Sequence, residues 1–273
     1  MTATIPFFQV DAFASQPFEG NQACVMPLDA FLPDDVLQAI AAENNVAETA
    51  FIVPVGEGRW QLRWFTPAVE VPLCGHATLA SGHVIYEHLG YSGDQIVFET
   101  RQSGDLFVSR GTAGLVMDFP ASPLQQVEVT ADMEVALGAC PMEAWAGSFL
   151  ACVFETAGDI LALDPDHRAL AELGQDAAGW DRGNVGCVAP GGPDGADIVS
   201  RFFAPGSGID EDPATGSWHC MAAPLMGEKL GRSRLSCFQA YPGRGAWVGT
   251  EIVGDRVNLS GTSVTIIEGQ FRL

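Results

Sequence analysis

The sequence predicts an α+β fold of two similar halves, each with strands gathered round one glycine-stepped central helix. Three observations lead there. A strand–turn–helix module occurs twice, the two copies keep the same order along the chain, and both helices carry small residues on several faces. The first module is Arg63-Trp64-Phe65-Thr66-Pro67 followed by Cys74-Gly75-His76. The second is Arg201-Phe202-Phe203-Ala204-Pro205 followed by Thr215-Gly216-Ser217, displaced by 138 and then by 141 residues. Glu87, Leu89 and Gly90 return as Glu228, Leu230 and Gly231 at the later spacing. Weaker echoes run ahead of them, Ala23-Cys24-Val25 with Ala151-Cys152-Val153 and Pro33-Asp34 with Pro165-Asp166. A spacing that drifts in one direction is what two copies with short insertions leave behind.

The elements follow in order. Phe7–Phe13 and Ala23–Met26 read as strands around a turn at Pro17 to Asn21. Pro33-Asp34-Asp35 opens a helix that Asn44-Asn45 stops, its acids suited to the positive end. Phe51–Val55 is the next strand, which places Glu48 in a short link, where chemistry is often carried. Trp60–Phe65 leads through Pro67 into the first central helix, Gly75–His88, kept thin by Ala77, Ala80, Ser81 and Gly82. Such a helix suits close wrapping by its neighbours. Gln95–Thr100 and Leu106–Arg110 form a hairpin, Leu115–Phe119 another strand, and Pro120 with Pro123 the passage between halves.

The pattern restarts at Phe149–Glu155. A helix from Asp164-Pro165 to about Leu173, strands at Asn184–Val188 and Ile198–Phe203, and a turn at Gly191–Gly195 follow. The acidic loop Gly206–Asp212 enters the second central helix, Gly216–Leu230, where Pro224 predicts a kink or a shortened span. Ala246–Val253, Arg256–Leu259 and Ser263–Leu273 are the closing strands.

With 34 acidic and 13 basic residues the net charge is −21. Nucleic acid and anionic membrane surfaces are poor partners for such a chain. No apolar run reaches the length of a membrane span, and the N-terminus shows no basic start followed by an apolar stretch. Seven cysteines, an odd number with no C-x-x-C pair, read as mostly buried free thiols of a reducing cytoplasm. The histidines and cysteines show no metal-ligand spacing, so no metal is expected. His83 and His88 read as structural or exposed.

Four residues stand where chemistry is expected. His76 follows the first glycine step; a helix N-terminus disfavours the imidazolium, so a neutral ring serving as donor or acceptor is one reading. A polar residue satisfying orphan N–H groups is the other. Asp212, in Glu211-Asp212-Pro213-Ala214-Thr215, sits at the mouth of the second helix, either facing a cleft or capping the helix. Glu48 and Asp212 are each missing from the opposite copy, which holds Asn184 and Val71 there. Shared residues suit a scaffold, and unshared ones an acid–base pair diverged for chemistry. Cys74, at a helix N-terminus, is a packing thiol or a base; its counterpart is Thr215, so a symmetric two-thiol device is absent.

Asp11-Ala12-Phe13 with Gly20-Asn21, Ala47-Glu48-Thr49-Ala50-Phe51, Arg63 to Pro67, Pro72-Leu73-Cys74-Gly75-His76-Ala77-Thr78 and Glu211 to Ser217 together resemble the PhzF-like isomerases of phenazine biosynthesis. The resemblance implies a diaminopimelate-epimerase-like fold, two pseudo-symmetric lobes with a curled, barrel-like mixed sheet around each central helix. On that plan one lobe is 1–120, joined by the strand at about 262–273, and the other is 121–261. It implies an active site between the lobes, no metal or organic cofactor, a small carboxylate-bearing substrate and a homodimer. It assigns principal proton transfer to Glu48. His76, Asp212 and Ser217 would line the substrate, and the backbone around Gly75, Ala77, Thr215 and Gly216 would hold its carboxylate. Alternatives are an amino-acid epimerase or racemase, or a silent homologue that binds a metabolite or a protein. Two departures, Trp218-His219-Cys220 after Ser217 and Gln239-Ala240 for the usual Gln-Gly, bear on the substrate more than on the chemistry.

Overall fold

A computed structural model describes residues 4–173 and 183–273. Residues 1–3, part of the N-terminal stretch read for a leader, lie outside them. Contacts divide the chain into two units, Met1–Asp118 with Ser260–Leu273, and Phe119–Leu259.

The first unit opens with β1 (Thr4–Ala12), β2 (Asn21–Pro27), α1 (Asp34–Asn44), β3 (Glu48–Gly56) and β4 (Arg59–Phe65). β5 (Glu70–Val71), α2 (Gly75–Glu87), β6 (Gln95–Thr100), β7 (Asp105–Gly111) and β8 (Gly114–Pro120) follow. β2 runs parallel to β3 and β4 to β6, while β1–β2, β3–β4 and β6–β7 are antiparallel. Alternation along β3 serves two helices at once. Phe51 and Val53 pack with Met26 and Phe65 against Leu37 and Ile40 of α1. Their neighbours Ala50 and Ile52 are buried toward the other face, where α2 contacts β1, β2 and β3. α2 is buried nearly all round, so its small residues are a packing requirement. A Cβ on Gly82 would come 2.9 Å from Val108 of β7.

The second unit holds β9 (Gln125–Val127), α3 (Ala131–Leu137), β10 (Glu143–Ala146), β11 (Leu150–Val153), α4 (Ala157–Leu161) and α5 (His167–Glu172). β12 (Val185–Pro190), β13 (Ile198–Phe203), α6 (Gly216–Leu230), β14 (Arg234–Tyr241), β15 (Arg244–Val253) and β16 (Arg256–Gly261) complete it. β17 (Ser263–Arg272) returns to the first unit and pairs antiparallel with β1. β10–β11, β12–β13 and β14–β15 are antiparallel, while β11–β12 and β13–β14 are parallel. That is the order of senses from β1 to β7. Leu137, Ile160 and Leu170 of α3, α4 and α5 cover Cys187, Ala189 and Phe203 on one face. α6 contacts β12, β14 and β15. Each sheet curls about its helix without closing.

The repeat extends to individual bonds. Arg63 on β4 grips Glu70 through two hydrogen bonds of 2.8 and 2.7 Å, and Arg201 on β13 grips Glu211 at 2.7 and 2.8 Å. Each guanidinium also covers a phenylalanine two residues on, Phe65 at 4.9 Å and Phe203 at 4.7 Å. In both units this two-pronged grip ties the end of a strand to the loop that starts the central helix.

Several elements differ from the sequence expectation. Glu48 is the first residue of β3 rather than part of a link, because parallel pairing of Ala23 with Glu48 draws the strand back to it. The helix expected from Asp164 begins at His167, where Asp166 accepts bonds from the N–H groups of Arg168 and Ala169. α3, α4, β9, β10 and β14 had no sequence forecast; they are short, or lack a clear period. α6 is not shortened by Pro224. Proline removes the N–H that would reach the Cys220 carbonyl, and Ser122 N–H takes that carbonyl at 3.0 Å instead.

Candidate active site

In the first unit the site is built at the N-terminus of α2. Cys74 caps the helix in extended conformation and makes no side-chain cap bond. The backbone N–H groups of the first turn, from Gly75 to Ala77, therefore lie at the positive end with no helical acceptor of their own. Thr78 bonds back to the Cys74 carbonyl through its hydroxyl at 2.6 Å, which fixes the turn. Parallel pairing of β3 with β2 brings Glu48 to the same place.

Three side chains meet there. His76 Nε2 lies 3.0 Å from Glu48 Oε2. The approach is a charge contact without hydrogen-bond alignment, since neither atom has a hydrogen-bond partner among the described residues. On the other side of the ring, Nδ1 lies 3.5 Å from Cys74 Sγ and 3.2 Å from Asn21 Nδ2. The Asn21 nitrogen donates to a bare Nδ1; turned over, the same amide accepts from a protonated one. Asn21 thus serves the ring in both charge states. It is buried at the start of β2 and delivered by Gly20, whose φ of 61° and contact with the Ala12 carbonyl leave no room for a Cβ.

Burial by itself pushes the His76 pKa down, yet the neighbouring Cys74 and Glu48 together hold it well above the ordinary value. Cys74 is pushed up, by burial first and by Glu48 second. Burial therefore favours the neutral thiol, while Cys74 and Glu48 beside the ring both favour the charged form of His76. These neighbours favour a charged ring, against the helix end, which favours a neutral one.

In the second unit Thr215 occupies the place of Cys74, again an extended N-cap with no side-chain cap bond. Its N–H donates to Gln239 Oε1 at 2.9 Å, and Gln239 Nε2 donates to the Asp212 carbonyl at 2.6 Å. The Thr215 hydroxyl donates to the Asp212 carboxylate. Asp212 therefore does not cap α6; it holds the residue that does. Gly216 and the exposed Ser217 form the first turn. Trp218 and His219 are wholly buried, so the bulk after Ser217 fills the interior of this unit. Trp218 lies over Gly186, where a Cβ would fall 2.2 Å from its ring. His219 Nδ1 bonds the Thr215 carbonyl at 2.8 Å, as Thr78 bonds that of Cys74.

Glu48 and His76 thus share one cluster in the first unit, and Asp212, Thr215, Gly216 and Ser217 another in the second. Asn21 and Gln239 were missed as site residues. Their signal was faint, an amide beside a required glycine and an amide on an unforecast strand. His83 and His88 lie apart from this site and share the Thr265 hydroxyl, at 2.9 and 2.8 Å.

The model of the phenazine biosynthesis-like protein family (PhzC-PhzF) matches residues 10–269. An uncharacterized isomerase of Pseudomonas aeruginosa is 43% identical over 98% of this chain and 99% of its own. A crystal structure of a phenazine biosynthesis protein of the PhzF family from Enterococcus faecalis is similar with a TM-score of 0.92 and 36% identity, over 99% of this chain and 100% of that one. A probable proline racemase from Agrobacterium radiobacter K84 shares the fold at a TM-score of 0.62 and 11% identity, over 98% and 92% of the two chains.

Proposed function

The chain belongs to the phenazine biosynthesis-like family, and on that premise we propose that it is a cofactor-independent isomerase that moves a proton on a small carboxylate-bearing metabolite. The observation that carries the reading is the Glu48–His76 contact of 3.0 Å at the N-terminus of α2, where Cys74 makes no side-chain cap bond. A substrate carboxylate at the N–H groups of Gly75 to Ala77 would meet the positive helix end, as an anion does. Its acidic C–H would then lie near Glu48. Glu48 takes that proton and returns it to a different atom, and protonated His76 beside it stabilises the carboxylate form of the base and the negative charge that develops on the substrate. Asp212 and Gln239 hold the Thr215–Ser217 turn in the shape that positions polar groups.

A racemase working through two thiols is not supported by this chain. Cys74 is a neutral buried thiol, and the equivalent cap is Thr215. The test of the proposal is solvent exchange. Small carboxylates with an acidic C–H are incubated with the protein in deuterium oxide and followed by proton NMR. An isomerase exchanges the C–H of its substrate and moves a double bond or inverts a centre. A protein that only binds leaves every C–H intact while shifting ligand resonances, and that outcome overturns the reading.

A further inference from the structure

The His76 ring is gripped on both sides. Its Nε2 lies 3.0 Å from Glu48 Oε2, and across the ring Nδ1 lies 3.2 Å from Asn21 Nδ2 and 3.5 Å from Cys74 Sγ. The titratable groups that face it are therefore Glu48 on β3 and Cys74 at the cap of α2. A thiol is a weak donor and a weak acceptor, whereas an amide donates at one atom and accepts at the other. Asn21, 1% exposed, is thus the partner that can serve Nδ1 whether or not that nitrogen carries a proton. The backbone is strained to deliver it. The loop 13–20 holds three residues of positive φ, Phe13 at 58°, Phe18 at 73° and Gly20 at 61°. For phenylalanine that region is an outlier, and such strain persists only where the surroundings over-determine it. Here buried Asp11 accepts the Phe18 N–H at 2.9 Å, and Glu19 accepts those of Ser15 and Gln16 at 3.1 and 3.2 Å. The second copy of the fold has neither the amide nor the ring. β11 runs beside β12 as β2 runs beside β3, yet Gly147-Ser148-Phe149 leads into it, and Ser217 stands where α2 holds His76. The scaffold stands without the amide, and the amide goes with the ring.

We propose that Asn21 is a positioning residue for His76: by turning its amide it keeps Nδ1 hydrogen-bonded in both charge states, and so admits a charged ring opposite Glu48. An imidazolium has two N–H groups to satisfy. Glu48 faces one of them, and the Asn21 oxygen accepts from the other. Without that oxygen the second N–H of a buried cation would go unpaired, which disfavours the charged form. In the neutral ring the same amide, turned over, donates to the bare Nδ1. The catalytic consequence rests on the proton-transfer reading above: a charged His76 steadies the carboxylate of Glu48 and the negative charge that develops on the substrate.

The test is the titration of His76 in the ligand-free protein, followed by long-range proton–nitrogen NMR of the five histidine rings, with His76→Gln identifying the signal. Two replacements of similar size should move it in opposite directions. Asn21→Asp, an acceptor only, should raise the pH at which the ring loses its charge, and Asn21→Leu, which offers neither atom, should lower it. Movement in the same direction in both, or in neither, overturns the proposal, because an amide that only fills space would not sort the two by hydrogen-bonding character. The parent protein supplies a check that needs no variant. Its Asn21 side-chain amide signals should shift at the same midpoint as the ring, and signals indifferent to that titration overturn the proposal as well. In deuterium exchange, Asn21→Leu should lower kcat by up to about 10²-fold, the lower end of what a lost acid–base group costs, with KM near that of the parent. A loss confined to KM would make Asn21 a substrate contact and overturn the positioning role. The ring titration requires no turnover, so absent exchange defeats the isomerase reading and leaves the hold of Asn21 on His76 standing, while an unresponsive ring in an active enzyme does the reverse.

Discussion

Replacing Glu211 by Met should cost this protein far more stability than replacing its counterpart Glu70 by Met. The two carboxylates make the same two-pronged bond to an arginine, so the comparison is internally controlled. Their surroundings differ. The Arg201–Glu211 side chains are 12% and 8% exposed, and without Glu211 the guanidinium retains, among the described residues, the Leu163 carbonyl at 2.6 Å, the Phe203 ring and the charge of Asp164. A buried charge stripped of its partner destabilises by about 3–5 kcal/mol. Glu70 is 24% exposed, and Arg63, although only 3% exposed, retains Asp34 at 2.9 Å when Glu70 is gone. That loss should stay below about 2 kcal/mol, nearer the range of a partly solvated pair. Urea denaturation of both variants measures the difference. In thermal melts the Glu211 variant should fall by roughly 6–20 °C, at about 2–4 °C per kcal/mol. Equal losses in the two variants would refute the reasoning, since the repeat would then set the energetics and burial would not.

Three further outcomes are expected. Cys74→Ala should keep most of the exchange activity, because a neutral thiol is not the base; a loss as deep as that of a Glu48 variant would restore the thiol reading. Asp212→Asn should raise KM and lower kcat together, since it loosens the Thr215–Ser217 turn; a change confined to kcat, measured at saturating substrate, would make Asp212 a proton-transfer group. Burial holds the His219 pKa at about 4, below the ordinary 6.5, so the unfolded chain binds its proton first as pH falls. This contribution is complete above pH 6.5 and is lost progressively toward pH 4, the loss reaching about 2 kcal/mol by pH 5; denaturation of His219→Asn should lack that part of the slope, and an unchanged slope would show that His219 is not buried neutral.

Much of the architecture was legible because both copies spell it out. The arginine-led strand, the glycine step and the thin helix are each encoded by residues close in sequence, and the start and end of α6 follow from them directly. What escaped was set by distant partners. β3 reaches back to Glu48 because β2 lies beside it, and at Pro224 in α6 it is Ser122 that donates to the Cys220 carbonyl. Of the site, Glu48, His76 and Asp212 were visible as polar residues at special places. The electrostatics of His76 were not, because Cys74 and a carboxylate 28 residues earlier in the chain act on it together. Gln239 was hidden for the same reason, its three bonds to the Asp212–Thr215 turn crossing from a strand that has no clear signal of its own.

The central claim is that Glu48 moves the proton, and Glu48→Gln tests it most directly. Glutamine keeps the shape and the contact with His76 but cannot take up and return a proton. The variant should fold as the parent does and still bind the substrate carboxylate at α2. Its rate of solvent-deuterium incorporation should drop by about 10²–10⁴-fold, the range for a lost general acid–base group. Exchange at the parent rate in Glu48→Gln would contradict the account and pass the proton to His76 or Asp212.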